Sequence, residues 1–478
     1  MLPEPQLMES MRAVGYTLPT SLADIIDNSI SASCTEVWVD FSSSGERYVA
    51  ISDDGNGMDT TETLRAMRLA GVTPLGERDR NDLGRFGLGL KTASLAQCRV
   101  LTVVSKKHGD LVAYRWDLDH LATTGTWSVL KLGDTDISGL PGVSRLLGHE
   151  SGTTIVWQKL DQLTDTIGPD QSALDSAMEE AKNHLSLVFH RFIAGDGVRR
   201  VSVRMNDVEL PPIDPFLKDH RGTQRGPSET VRIEGVAIRV QPFTLPFMNK
   251  ISAADREKAL LNGTTRDTQG FYIYRARRLV VWGTWFRLVP KAELSKLARV
   301  QVDIPNTLDR LWALDIKKSV AVPPPEVRRE LRRITDKIIE PSRRVHTYRG
   351  RREGPVDDST HLWRVVTDRT TFRYEINRRH PVIATLGDAL GDESRAGLEA
   401  LLAVAETTFP IQDAYNRLAE DATQAVETDN TIIDQAKALW RLYRLQDRSL
   451  DQFIQAFKLV EPFSMHNEFE SACRKELV

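Results

Sequence analysis

Cysteine is scarce: the three present, Cys34, Cys98 and Cys473, are far apart and odd in number. That excludes a disulfide framework and a cysteine-built zinc site. There is no excess of positive charge, since 63 Lys and Arg stand against 66 Asp and Glu, a net of -3. A wholly basic coat is thereby ruled out, and any nucleic-acid surface has to be local. Long apolar runs are missing too. The best stretch, Leu398–Val404, is short and broken by Glu399, far below the roughly 18 residues that read as a membrane span. The opening MLPEPQLMESMR has no basic-then-apolar leader pattern, and no internal repeat or low-complexity tract occurs. These absences leave the expectation of a soluble, cytoplasmic protein with no membrane partner. Its composition is that of an ordinary globular chain, 41% hydrophobic and 27% charged, and 478 residues argue for about three domains.

Hydrophobic periodicity predicts a helix near Thr20–Ser33 and strands at Glu36–Phe41 and Arg47–Ser52, the second running into DDGNG. A helix over Thr60–Ala70 precedes the Gly- and charge-rich segment Gly71–Gly89. Strands follow at Arg99–Lys106, Leu111–Asp117 and Thr153–Lys159. Leu174, Met178, Ala181, Leu185, Val188, Phe189 and Phe192 then recur at the spacing of one long helix. His190 sits among those core positions and reads as a packing histidine. Strands and helices mix over 199–345. The clearest strand there is Gly270–Tyr274, with Tyr272 and Tyr274 read as core, and a helix follows Pro323–Pro325. Beyond about 355 the pattern is one short Tyr/Arg-rich strand region and then mostly helix.

Charge is partitioned along the chain. Residues 317–352 hold 12 Lys and Arg against 4 Asp and Glu, whereas residues 385–435 hold 2 against 11. Each run is either a solvated helix face or a docking surface, the first for a polyanion and the second for something basic. After Pro325, Val327, Leu331, Ile334 and Ile338 form an apolar stripe, and Arg328, Arg329, Arg332 and Arg333 lie off it. An arginine-dense face of this kind can track a phosphate backbone without reading sequence.

Four short segments of the first 160 residues carry chemistry. In LADIIDNS, Leu22–Ser29, Asp24 and Asn28 are four apart and project from one helix face, where a carboxylate and a carboxamide can polarise water and ligate Mg²⁺. In Asp53-Asp54-Gly55-Asn56-Gly57-Met58, the glycines permit close backbone approach, and a buried Asp can accept from an exocyclic amine. An EF-hand loop fails here, because Gly55 and Gly57 stand where ligands are needed. Gly84, Gly87, Gly89 and Lys91 form a GxxGxGxK run leading into a helix, where free N–H groups cradle phosphate. Gly152-Thr153-Thr154 opens a strand.

In this order and spacing the four segments resemble the Bergerat nucleotide site of the GHKL ATPases, over about residues 15–160. "LADIIDNSISA" and "ISDDGNGMD" are most similar to the MORC and MutL branches. The resemblance implies an α+β fold: a Bergerat-type α/β sandwich over 1–195, a transducer-like α/β domain over 196–350, and a mainly helical region over 351–478. It implies ATP and Mg²⁺ as cofactors, with Asn28 holding the metal and Asp53 reading the adenine amine. Gly55, Gly57 and Met58 would shape the adenine pocket. Gly84, Gly87 and Gly89 would form lid hinge and phosphate cradle, with Lys91 at the phosphates, and Thr153 or Thr154 would reach adenine through water. Asp24 stands where these branches carry a general-base Glu. It is one methylene shorter, so slow hydrolysis with unimpaired binding is expected. Lys317 or Lys318, the latter preferred, matches the transducer lysine that senses the terminal phosphate, and Gly270–Trp285 resembles a transducer strand pair.

No zinc cluster, MutL-type endonuclease motif, phosphoacceptor-histidine setting or toprim-like acid cluster is found in the sequence, so a separate effector protein is expected. The favoured reading is an ATPase acting as an ATP-gated homodimeric clamp on DNA, in repair, chromosome handling or defence against foreign DNA. The alternatives are a chaperone-like protein clamp and a nucleotide-binding module that barely turns over.

Overall fold

Thr17 opens the first helix, α1 (Leu18–Ser31): its N–H donates to Thr20 Oγ1 at 3.1 Å, and Pro19 needs no donor in the first turn. Leu18, Leu22, Ile25 and Ile26 recur on one face and are buried. In the computed structural model this helix lies on a mixed eight-stranded sheet. Its strands are β1 (Glu36–Ser42), β2 (Tyr48–Asp53), β3 (Val100–Lys107), β4 (Asp110–Asp117), β5 (Leu130–Lys131), β6 (Gly152–Gln158), β7 (Ser202–Met205) and β8 (Val208–Glu209). The order across the sheet is β5-β4-β3-β6-β2-β1-β7-β8, antiparallel except for β1 beside β7. The structure describes residues 12, 15–68, 89–162, 171–233, 235–292, 295–308, 323–333, 335, 360–368, 371–411, 413–414, 429–446, 448–466 and 468–477.

Period-two alternation divides the strands between two faces. Val37, Val39, Val49, Ile51, Val103, Ile155 and Trp157 point into one core with α1, α3 (Gly89–Leu95) and α4 (Gln171–Val188). Val104 and Ala113 face the other way, against the short helices at Asp134–Ser138 and Val143–Leu147. The result is an α/β sandwich. Between β2 and α3 lies α2 (Thr60–Met67), capped by Asp59, which accepts the N–H groups of Thr61 and Glu62 at 2.9 Å each. The long helix expected through Phe192 breaks at Phe189, whose backbone (φ -104°, ψ 10°) leaves the helical region; α5 (His190–Ala194) follows. His190 is buried there, with Nε2 2.8 Å from the Tyr274 hydroxyl, and burial pushes its imidazole down to about 3.

The second sheet has six strands: β9 (Gln224–Arg225), β10 (Glu229–Ile233), β11 (Val236–Thr244), β12 (Gly270–Arg275), β13 (Arg278–Thr284) and β14 (Ala298–Ile304). They run β10-β11-β14-β12-β13, with β9 beside β11 and with β12 and β14 parallel. Tyr272 and Tyr274 are wholly buried in it. A helix over 325–333, α6, buries Val327 and Leu331 in the same core. Both sheets belong to one compact unit, Met1–His346; the other is Thr347–Val478.

That other unit contains a hairpin, β15 (Trp363–Asp368) and β16 (Thr371–Ile376), and helices α7 (Pro381–Ala389), α8 (Asp392–Thr407), α9 (Asp429–Tyr443), α10 (Leu450–Phe457) and α11 (Phe469–Glu476). Phe453, Phe457, Phe463 and Phe469 form its aromatic core. The chain is therefore α+β, with an N-terminal sandwich, a second sheet and a helical C-terminal region. No described helix is long and apolar enough to cross a membrane.

Candidate nucleotide site

β2 ends on Asp53. Following Val49 and Ile51 on the same face, its carboxylate turns under α1, accepting Ser29 Oγ–H at 2.8 Å and the Gly55 N–H at 2.9 Å. Burial pushes this carboxyl up to about 6, against the pull of those two hydrogen bonds. Asp54 does a different job. Its carboxylate accepts the N–H groups of Thr35 and Glu36 at 2.7 and 2.9 Å and also bonds the Thr35 hydroxyl, tying the turn to the start of β1.

The loop after Asp53 is held by its own chain. Gly57 lies at φ +63°, and a Cβ there would stand 1.9 Å from the Lys106 carbonyl oxygen, so only glycine fits. At Gly55 a Cβ would meet the Ala32 carbonyl and Asp53 Oδ1 at 2.9 Å. Met58 is half-buried against the core, and its N–H donates to Ser105 Oγ at 2.8 Å.

Register separates the two threonines. Asp53 pairs with Thr153 and Ser52 with Thr154 across β2 and β6, and directly paired residues share a face. Thr153 therefore stands on the Asp53 side, 2.9 Å from Ser105 Oγ. Thr154 is buried on the opposite side, 3.0 Å from Ser52 Oγ.

α1 supplies the remaining polar groups. Asp24 is buried and accepts the Tyr16 hydroxyl at 2.9 Å on Oδ2. Asn28, one turn on, is exposed. Gly89 opens α3 beside Asp24: a Cβ there would lie 3.7 Å from Oδ2. Between them Asp27, wholly buried, pairs with Arg278 of β13, whose Nε lies 3.0 Å from Oδ1 and 2.9 Å from Oδ2.

Lys91, expected at the phosphates, is buried with its ammonium donating to the Ala66 and Arg68 carbonyls at 2.8 and 2.9 Å. It thereby serves the C-terminal end of α2, where a cation is favoured. Burial lowers it to about 8. Gly84, Gly87, Lys317 and Lys318 lie outside the described residues.

The structure thus gathers Asp53, Gly55, Gly57, Met58 and Thr153 about the end of β2, with Gly89 beside Asp24 on α1 and Asn28 one turn further along that helix. Sequence reasoning missed Ser29, Ser105, Tyr16 and Arg278. Ser29 directly follows Asn28, yet its partner is 24 residues away; Arg278 is 251 residues from Asp27. Neither separation leaves a local signal.

No curated protein matches the chain. Residues 16–153 match the family of histidine kinase-, DNA gyrase B- and HSP90-like ATPases. The matched span begins at Tyr16 and ends at Thr153, enclosing α1, the Asp53 loop, α3 and the start of β6. It does not separate the MORC and MutL branches from the rest. ATPases of this type bind ATP with Mg²⁺. Over residues 16–153 the chain carries a GHKL-type ATPase domain, which implies ATP binding and hydrolysis.

Proposed function

We propose that this chain binds Mg²⁺-ATP between α1, the Asp53 loop and the first turn of α3, and hydrolyses it. One observation carries the reading: a carboxyl raised by burial, Asp53, ends a core strand on the face shared with Thr153 and α1. A buried carboxylate at the end of a strand is suited to a ligand that brings its own donor, as the adenine amine does. Among the described residues no group of three or more His, Cys, Asp and Glu is placed to hold a metal. Mg²⁺ keeps most of its shell as phosphate and water, so the exposed carboxamide of Asn28 fits as a single protein ligand. Bound there, the ion would neutralise phosphate charge. Asp24 orients water, and its proton moves to that carboxylate as the water oxygen bonds the terminal phosphorus. The bond from that phosphorus to the bridging oxygen breaks, and ADP leaves with the electron pair. The test is ATP titration and phosphate release for the parent, Asp53→Asn and Asn28→Ala. Undiminished affinity in both variants would end the assignment.

The same reading extends to a homodimeric clamp engaged on DNA and coupled to a separate effector, with Lys317 or Lys318 sensing the terminal phosphate. Support comes from α6: Val327 and Leu331 are buried while Arg329 and Arg332 are exposed. Arg328 donates to the Phe286 carbonyl at 3.3 Å, and Arg333 pairs with Glu330 and Glu229. Arg329 and Arg332 are therefore the proposed phosphate contacts. Replacing both by Gln should flatten the log–log salt dependence of duplex binding by about 1.8, at roughly 0.9 per contact. A protein-clamp reading draws on α8, whose Leu401 and Val404 are 64% and 56% exposed. Equal DNA affinity and slope in parent and variant would make that reading the leading one.

A further inference from the structure

We propose that Tyr16 is the positioning residue for hydrolysis, fixing Asp24 and tying it to α3; the inference rests on Asp24 being the water-activating carboxylate. The hydroxyl of Tyr16 donates to Asp24 Oδ2 at 2.9 Å, and both residues are buried, at 8% and 4% exposure. Around this bond the chain is clamped. The Tyr16 ring packs on Ala93 of α3 and on Ala96 just beyond it. Gln97 then donates from Nε2 to the Tyr16 carbonyl at 3.2 Å and to Ser21 Oγ, on α1, at 3.0 Å. The segment before α1, α1 itself and the end of α3 are thus joined around one phenol.

The chemistry follows from the length of the side chain. A base must lie within hydrogen-bond reach of the proton it takes, and a misplacement of about 1 Å costs roughly a hundredfold. Aspartate has two side-chain torsions, and a fixed donor on a carboxylate oxygen restrains both. A carboxylate offers about four acceptor sites, and the phenol takes one of them. The first turn of α3 comes up to the same oxygen, a Cβ at Gly89 lying 3.7 Å from Oδ2, in ordinary contact. Tyr16 and Asp24 are matched in length, and a glutamate at 24 would carry its carboxylate past the phenol.

The experiment uses the full chain and measures ATP affinity, KM, kcat and thermal midpoint for Tyr16→Phe, Asp24→Asn, their double variant and Asp24→Glu. Phenylalanine keeps the ring against Ala93 and Ala96. We expect Tyr16→Phe to lower kcat roughly ten- to hundredfold at unchanged KM and ATP affinity. Asp24→Asn should lose hydrolysis, and adding Tyr16→Phe to it should change nothing further. Asp24→Glu should be slower than the parent. A Tyr16→Phe protein with parental kcat, beside an inactive Asp24→Asn, overturns the inference while leaving Asp24 as the base. Parental hydrolysis in Asp24→Asn overturns the underlying reading instead. Parallel loss of ATP affinity, midpoint and kcat in Tyr16→Phe makes the tyrosine scaffold only, and overturns the inference. Should Tyr16→Phe fail to fold, Asp24→Glu decides alone: a kcat above the parent's shows that the carboxylate was short rather than positioned.

Discussion

Asp53→Asn separates what the site gains from a buried carboxylate from what the fold loses by it. Burial raises the folded carboxyl from an ordinary 3.8 to about 6. The folded state therefore binds more protons than the unfolded state across that window, and stability falls as pH rises through it. At about 1.4 kcal/mol per pKa unit the ionised group costs the unliganded protein about 3 kcal/mol above pH 6, with about half of that change lying between pH 5 and 8. Asparagine keeps the shape without the titration. Its Oδ1 accepts the Gly55 N–H, and Ser29, whose hydroxyl already lies 3.4 Å from the Ile25 carbonyl, can turn to accept from Nδ2. The variant should gain on the parent by about 1–2 kcal/mol between pH 5 and 8, other groups titrating alike in both. ATP binding should move the opposite way. Loss of a hydrogen bond to a charged acceptor costs about 1.5–3 kcal/mol, roughly ten- to hundredfold in affinity. Denaturant titrations of both proteins at pH 5, 6.5 and 8, with and without ATP, supply all the numbers. A stability difference that does not change with pH refutes the burial argument; parental ATP affinity in the variant refutes the adenine contact.

Three further outcomes can be checked. Arg278→Leu should destabilise by on the order of 3 kcal/mol, because it takes the guanidinium away from the wholly buried Asp27 carboxylate, and the Asp27→Leu/Arg278→Leu double variant should recover much of that; denaturation curves in which the double variant is as unstable as Arg278→Leu would count against the pair. Gly57→Ala should displace the loop and abolish ATP binding, since the new Cβ cannot sit 1.9 Å from the Lys106 oxygen; a variant that still binds ATP would place the loop elsewhere. The parent's ATP affinity should fall as pH drops below about 6, as Asp53 protonates and ceases to accept the amine, whereas Asp53→Asn should show no such step; calorimetry across pH 5–8 reads this directly.

Much of the sandwich was legible locally. The apolar spacing of α1, the alternation of β2, β3 and β6, and the turn chemistry of DDGNG are short-range patterns, and each element appeared within about three residues of its expected bounds. Asp59 caps α2 within the same few residues, its own N–H donating to the Glu62 carboxylate three positions on at 2.9 Å. The break at Phe189 was not legible, because its apolar side chain continues the helical pattern while its backbone leaves it.

The sequence by itself determined the order of the motifs and which of their residues share a helix face, since motif order and helical spacing are local properties of the chain. Only the tertiary structure decided what each of them faces. Whether Thr153 or Thr154 shares the Asp53 side depends on a cross-strand register set over 100 residues apart, and a shift of one residue would exchange them. Lys91 places its ammonium on the carbonyls at the C-terminal end of α2 because helix packing, not spacing, aims its stem. Tyr16 reaches Asp24, and Arg278 reaches Asp27, through contacts that periodicity does not encode. The order of motifs is one-dimensional; a site is a meeting of side chains, and folding brings together residues that no local rule connects.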